Sequence, residues 1–371
     1  MSNMMMGDGK EPLTQHESND ELTIEQKEVE GLSQGTVVRR RFFRHRGAMA
    51  ALVVLISLAL LVYTSIGLQI FGFRVPGWWQ WGYESATPLV NGGNPTWVLP
   101  FNFGEHPFGQ DNIGRDLFAR VMRGTQQSIV VMALYGAIAA VIGIVVGAVS
   151  GFFRGWVDSI LMRFTDLIIV IPVIVLAAVL GRTVGNLGAV VLGIVLGLVG
   201  WPTLARLVRG EFLSLREREF VDAARVAGAS SSRIVFRHIL PNAIGVVIVS
   251  TTLLMSAAIL LEAALSFLGF GIVAPDVSLG QLINEYRDAF STRPWLFWWP
   301  GLFIIAIALC INFIGDGLRD AFDPRQRRMP GANGPYRQMF AMVTGRTARQ
   351  QNAGPVKRAP GDPSRKGGPA V

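Results

Sequence analysis

Residues 47–70, 128–151, 243–267 and 295–313 form four apolar blocks, each long enough at about 1.5 Å per helical residue to cross roughly 30 Å of hydrocarbon. A chain of 371 residues that is 50% hydrophobic and masses its Leu, Ile, Val and Ala in this way reads as a multi-span membrane protein, not a soluble domain. Its function is then exercised in or across a bilayer. The region 160–201 is less regular: fourteen continuous apolar residues at 167–180 precede Gly181-Arg182, and fifteen more occupy 187–201. Extended by a turn at their charged ends, they predict two further spans joined by a tight outer turn, GRTVGN, with a re-entrant hairpin as the alternative. Pro172, inside the third of these spans, predicts a kink or a freed carbonyl. The expected fold class is therefore all-α, a polytopic protein with six transmembrane helices.

Basic residues orient the spans. With the N-terminus inside, 27 of the 34 Lys and Arg residues fall on the cytoplasmic side, so the positive-inside rule places both termini in the cytoplasm. An even number of spans agrees. The first span is too long and too far from the N-terminus to be a cleaved signal peptide. Residues 1–38 predict a disordered acidic cytoplasmic tail, residues 39–75 a basic run and first transmembrane helix, and residues 329–371 a disordered basic cytoplasmic tail rich in Gly, Pro, Arg and Gln. The basic tail lies within reach of anionic lipid, and no nucleic-acid partner is expected.

Several chemistries are excluded early. Cys310 is the only cysteine, so no intrachain disulfide or cysteine metal site forms, and its setting is that of a small core residue. His16, His45, His106 and His238 lack metal-ligand spacing, so no metal site is assigned. No GxxxxGK[ST] stretch is present, so the chain has no P-loop of its own. Within the spans the single strongly ionisable residue is Glu262, without the partners a proton-coupled carrier uses. Counted from Ala243 it falls near the outer end of its span, where snorkelling or a hydrogen bond makes a carboxylate affordable. Its alternatives are a structural brace and part of an outer gate. Gly143, Gly147 and Gly151, and Gly193 and Gly197, recur every four residues and predict helix faces that approach closely.

Between two apolar blocks lies EFVDAARVAGASSSRIVFRHILPN, residues 219–242. Residues 211–227 favour helix, Gly228 breaks it, Ser230 to Ser232 can cap a second short helix, and Pro241 is expected to close that helix before the membrane. Two short helices at an angle, with small residues at Ala223 and Ala224, make a protrusion suited to a groove on another protein.

Asp222-Ala223-Ala224, Gly228 four residues after the second alanine, and Leu240-Pro241-Asn242 resemble the EAA loop of importer-type ABC transporter permeases. Asp222 stands where that family usually has Glu, and Ile239 falls one place late, after His238. Three further stretches, HPFGQDNIGRDLFARVMRGTQQSI at 106–129, LLEAALSFLGFGI at 260–272 and PWLFWWPGLFIIAIALCINFIGDGLRDAFDPRQR at 294–327, resemble the oligopeptide, dipeptide and nickel importer permeases, in particular their second, C-type subunit. RRRFFRHRGAMAALVVL matches the basic run that leads into the first span of that subunit. Gln110 replaces the usual Thr, and a Trp-rich insert occupies residues 78–97.

The resemblance implies a type I ABC importer permease bundle that transports oligopeptides or dipeptides, with nickel or another small solute as the alternative cargo. It implies a heterodimer with the other permease type, two ATPase subunits or a fused one, and an extracytoplasmic substrate-binding protein. The partners would bind ATP and Mg, this chain would carry no cofactor, and it would catalyse no bond change. Asp222, Ala223, Ala224, Gly228, Arg233 and His238 would couple it to the ATPase. Residues 76–127 would form an extracytoplasmic loop with an interfacial helix at 109–124, Phe118 and Val121 facing inward, and residues 128–328 a core permease domain of five helices with its coupling loop at 206–242. Trp78, Trp79 and Trp81 suit an interfacial belt or a contact with the delivery protein. Asp316, Arg319, Asp320, Asp323 and Arg325 suit surface ion pairs or an ATPase contact. An ion-driven secondary carrier would need no ATPase, and a membrane scaffold would accumulate no substrate.

Overall fold

The computed structural model describes residues 34–70, 73–97, 104–184 and 187–322. Residues 1–33 of the acidic tail predicted at 1–38 and all of the basic tail predicted at 329–371, together with Asp323 and Arg325, lie outside these residues. Residues 34–38, read as the end of the acidic tail, instead begin α1 (Gln34–Arg44). Helix α2 (Arg46–Ser65) follows, capped by His45, whose Nδ1 accepts from the Ala48 amide at 3.0 Å while its Nε2 lies 3.5 Å from Asp320.

The first apolar block leaves the helix earlier than expected. Gly67 adopts φ +78°, and a Cβ there would stand 2.0 Å from the Val75 carbonyl oxygen. That backbone turn, open to glycine alone, stops the helix and starts a two-stranded antiparallel hairpin, β1 (Gly67–Ile70) against β2 (Phe73–Pro76).

Helix α3 (Leu117–Phe153) is the axis of the bundle. Asp116 caps it by accepting from the Ala119 amide at 2.7 Å. Gly124, where the interfacial helix was expected to end, does not interrupt the ladder, so 109–124 is not a separate helix: from Leu117 onward it is the first turns of the span. Its 37 residues rise about 55 Å, well beyond the hydrocarbon thickness. Phe118 and Val121 are buried, as the periodicity predicts.

The irregular region forms two bent pairs. Helices α4 (Gly155–Val170) and α5 (Val173–Val184) meet at 80° around Ile171-Pro172, the position at which the sequence predicts a kink. Helices α6 (Ala189–Gly200) and α7 (Pro202–Arg216) meet at 45° at Trp201. The expected outer turn GRTVGN begins inside α5, and its residues 185–186 lie outside the described ones. Among the described residues four helices are unbroken and long and apolar enough to cross a membrane, and the count reaches six if each bent pair is one span.

Glycine faces decide which helices touch. A Cβ on Gly143, Gly147 or Gly151 would come within 2.9, 2.5 and 2.7 Å of Leu204, Ala205 and Phe212, so α7 lies directly on the α3 backbone. Gly193 and Gly197 of α6 receive the opposite side of the exchange, meeting Val131, Leu134 and Ile138 of α3. The remaining elements are α8 (Glu219–Val226), α9 (Ser231–Arg233), a π-helical segment (Ile234–Ile239), α10 (Leu240–Phe267), α11 (Leu279–Tyr286) and α12 (Trp295–Phe322). Helix α10 packs between α3 and α12, and α12 against α2.

Candidate functional site

At the C-terminal end of α3 the chain forms an elbow. The helix expected over 211–227 is broken, because the Glu217 and Arg218 amides both turn back to the Leu215 carbonyl and Arg218 is extended. Helix α8 then starts afresh. It ends in a Schellman closure: the Gly228 amide donates to the Arg225 carbonyl at 2.9 Å and the Ala229 amide to the Ala224 carbonyl at 3.0 Å, with Gly228 at φ +77°. Ser230 caps the next turn by accepting from the Arg233 amide.

Pro241 does not end a helix before the membrane, as expected. It has no amide to give and its ring crowds the carbonyl four residues back. The ladder widens to accommodate it, with the Leu240 amide reaching the Val235 carbonyl five residues back, and the rod runs on through α9, the π segment and α10 to Phe267.

The elbow has two contrasting faces. Val221, Ile234 and Ile239 are buried with Val208 and Phe212 of α7, and Ala224 and Ala229 pack against the same cluster. Away from that cluster Val226 is 91% exposed, Phe236 70% and Phe220 38%. Asp222 pairs with Arg225 at 2.9 Å, but both are open to solvent and the pair is worth little. Ala223 and Arg233 are exposed, and Arg233 has no acidic partner among the described residues. His238 is half-buried in the rod, its carbonyl accepting from Asn242 at 2.6 Å. The six residues named from the sequence thus share one elbow, with Ala224 partly facing inward and the other positions of α8 and Gly228 outward.

The base of the elbow is tied down. Arg209 grips Asp158 with two hydrogen bonds of 2.6 Å, Arg154 pairs with Glu217 at 2.7 Å, and Arg216 donates to the Phe152 carbonyl. These contacts join α7 to α4 and to the end of α3.

The other end of α3 carries a polar cap that periodicity alone did not reveal. Buried Asp116 accepts from the Trp79 indole at 2.9 Å and from His106 Nδ1 at 2.7 Å; because a carboxylate only accepts, the hydrogen between them is carried by His106 Nδ1. Asp111 accepts from the Ile113 and Arg115 amides at 3.0 and 2.8 Å and from the Tyr286 hydroxyl at 3.1 Å. Arg120, 3% exposed, bridges Asp111 at 3.1 Å, Glu285 at 2.7 Å and the Tyr286 oxygen at 2.7 Å. Burial raises the pKa of Asp111, but the hydrogen bonds and positive charge of Arg115 outweigh it and hold the carboxyl below its ordinary value. Its support for the cap is complete above the unfolded carboxylate pKa and is lost as pH falls through the lowered folded value. Burial pushes the Tyr286 hydroxyl up.

Other departures from expectation are settled here. Gln110, in place of the usual Thr, is fully buried and ties residues 87–90 by donating to Thr87 and Pro88 and accepting from the Val90 amide at 2.8 Å. Trp79 and Trp81 both hydrogen-bond within the cap, Trp81 donating to the Glu105 carbonyl and stacking on His106. Alternating acids and bases at Asp111, Arg115, Asp116 and Arg120 were the available signal. Glu262 does not snorkel. It is completely buried, accepting from Ser128 of α3 at 2.7 Å and Ser266 of α10 at 2.8 Å, and from Ser278, which caps α11.

Comparison with known proteins gives the following. The family of binding-protein-dependent transport system inner membrane components matches residues 143–328, and the N-terminal TM domain of oligopeptide transport permease C matches residues 33–73. The oligopeptide transport system permease protein OppC of Mycobacterium tuberculosis (strain ATCC 25618 / H37Rv) is 38% identical over 305 residues, covering 81% of this chain and 98% of that protein. OppC of Escherichia coli (strain K12) is 39% identical over 307 residues, covering 82% and 95%. A solved methionine ABC transporter, MetNI in inward-facing conformations, aligns at 22% identity with a TM-score of 0.46 over 56% of this chain and 98% of that one.

Proposed function

The chain belongs to the family of binding-protein-dependent transport system inner membrane components, and on that footing we propose that it is the C-type transmembrane subunit of an ATP-driven importer that carries peptides across the bacterial cytoplasmic membrane. The elbow faces the cytoplasm, the cap faces outward and both termini are inside, a placement supported by the excess of basic residues on the elbow side. A second permease subunit, ATPase subunits and an extracytoplasmic substrate-binding protein complete the assembly. The ATPases bind ATP and Mg, and this chain makes and breaks no covalent bond.

One observation carries the reading. A polar segment between two spans presents Phe220, Val226 and Phe236 to solvent while its inner face is pinned to α7. A short helix pair that exposes apolar side chains together with Asp222, Arg225, Arg233 and Arg237 suits a groove on a water-soluble partner. ATP binding brings the ATPases together and carries the elbow with them. The tied base transmits the movement to α3 and α7, and the bundle rocks from inward-open to outward-open. Glu262 braces the outer end by holding α3, α10 and α11 as one unit.

Reconstituted vesicles test this. Labelled peptide is expected to accumulate only when the binding protein and ATP are both supplied; accumulation driven by an ion gradient without ATP contradicts the proposal. In the same assay Glu262→Gln, which trades an acceptor for a donor among three serines, is expected to lower uptake several-fold, and unchanged uptake removes the bracing role.

A further inference from the structure

The segment that leads into the first span carries charge that its surroundings do not balance. Residues 34–46 hold five arginines, at 39, 40, 41, 44 and 46, and no acidic residue. Helix α1 forms from eleven of these residues all the same, with Arg40 and Arg44 one turn apart, a spacing at which like charges repel. Asp320 of α12 faces His45 at 3.5 Å. Arg39, Arg44 and Arg46 are exposed and have no acidic partner among the described residues.

Two neighbouring phenylalanines on α1 point to different surroundings. Phe42 packs over Gly317 of α12, where an added Cβ would lie 3.5 Å from its ring and 2.3 Å from the Ala48 Cβ. Phe43 stands edge-on to Phe42 at 6.0 Å between centroids and is 58% exposed. On a helix the residues three and four positions back are surface neighbours, so the open ring of Phe43 rises beside Arg40 and Arg39. The level of this face follows from α2. Its 20 residues rise about 30 Å, the thickness of the hydrocarbon layer, and Arg46 is both its first residue and its only charged one. Arg44 and Arg46 therefore bracket the boundary at which headgroup phosphates lie. The positive-inside rule accounts for basic residues here but asks nothing of Phe43. A phenyl ring among arginines on a helix at that boundary is the composition of a surface that enters the lipid interface.

We infer that the exposed face of α1, together with Arg46, is a docking site for anionic phospholipid: Arg39, Arg44 and Arg46 pair with headgroup phosphates while Phe43 enters the ends of the acyl chains. The planar guanidinium matches two phosphate oxygens at once, which makes arginine the fitting cation. A zwitterionic lipid offers the same phosphate but brings its own cation, so the unbalanced arginines select a lipid with net negative charge. Bound lipid relieves the repulsion within α1 and holds it at the membrane surface, and with it, through Phe42 and His45, the end of α12. The inference concerns the membrane and not the cargo, so it stands whichever solute the importer carries.

Counting bound lipid by native mass spectrometry tests it on the complete assembly, purified in an uncharged detergent. Phosphatidylglycerol and phosphatidylcholine with the same acyl chains are titrated separately. The parent is expected to bind phosphatidylglycerol at least 10-fold more tightly, because several arginines act together at the surface. The triple variant Arg39→Gln, Arg44→Gln, Arg46→Gln is expected to lose that preference. A second triple variant, Arg163→Gln, Arg182→Gln, Arg287→Gln, removes the same charge from exposed positions elsewhere and is expected to keep it. Phe43→Ser leaves every arginine in place and is expected to weaken phosphatidylglycerol binding several-fold. Excess glycerol phosphate, the headgroup chemistry without the chains, is expected not to displace the lipid. No preference in the parent, or an equal preference in both triple variants, overturns the inference. Displacement by glycerol phosphate overturns it in favour of a free-phosphate site, and loss of another subunit from the first triple variant alone overturns it in favour of a protein partner. Should that variant fail to assemble at all, Arg39→Gln and Phe43→Ser decide the matter, and unchanged affinity for phosphatidylglycerol in both overturns the inference.

Discussion

Replacing Gly228 by valine is expected to reduce peptide uptake to the background seen without ATP, while the chain still inserts and the bundle still folds. Gly228 holds φ +77°, a conformation that costs a β-branched residue roughly 1–3 kcal/mol. Against a total stability of about 5–15 kcal/mol the bundle survives that penalty. The elbow does not keep its shape, because relaxing the backbone breaks both bonds of the Schellman closure and swings α8 away from the π segment. The new side chain also projects into open space on the outward face, where a Cβ meets nothing within 4 Å in the isolated chain and where the ATPase is proposed to sit. Gly228→Asn separates fold from function, since asparagine tolerates the left-handed region. It is expected to retain more uptake than valine at equal amounts of membrane-inserted protein. Uptake by the valine variant at the parent level would remove the coupling role from the elbow.

Arg120→Leu is expected to have the largest effect on stability. The guanidinium is buried and bridges Asp111, Glu285 and the Tyr286 hydroxyl across two segments of chain. Leucine fills much of the volume but leaves the Asp111 carboxylate in the interior with one fewer donor. Breaking a buried pair in this one-sided way costs about 3–5 kcal/mol. For a chain of this size that lowers the thermal midpoint by roughly 10 °C. Tryptophan fluorescence of the detergent-purified assembly reports it, since Trp79 and Trp81 sit in the same cap. Arg225→Ala is the control: its pair with Asp222 is exposed and its removal costs under about 1 kcal/mol. Equal midpoints for Arg120→Leu and the parent would mean that the cap is not held by this network.

The contrast between those two sites follows what could be read from sequence. The elbow was legible because its determinants are local: a glycine at C′, a serine cap and alanines at fixed offsets, all within 24 consecutive residues. The glycine faces were legible for the same reason, although only the fold shows that α3 offers its glycines to α7 and receives those of α6. The cap was not legible, since its bonds join residues such as Asp111 and Tyr286 that lie 175 positions apart. Hydrophobic periodicity also hid three backbone events. It could not see that Gly67 turns an apolar block into a hairpin, that 117–127 continues unbroken into the span, or that Pro241 is absorbed by a wider helical turn. Pro172 was the exception, because an internal proline announces its own missing bond.

The central claim is that a cytoplasmic ATPase seats on the outward face of the elbow. In a Cys310→Ser background, Val226→Cys carries a benzophenone maleimide on the elbow and Ile113→Cys carries it on the cap, both at exposed positions. After irradiation of the purified assembly, the ATPase subunit is expected to be captured from residue 226 and not from residue 113. Capture from 113 instead, or no capture from 226 in an assembly that contains the ATPase, would contradict it.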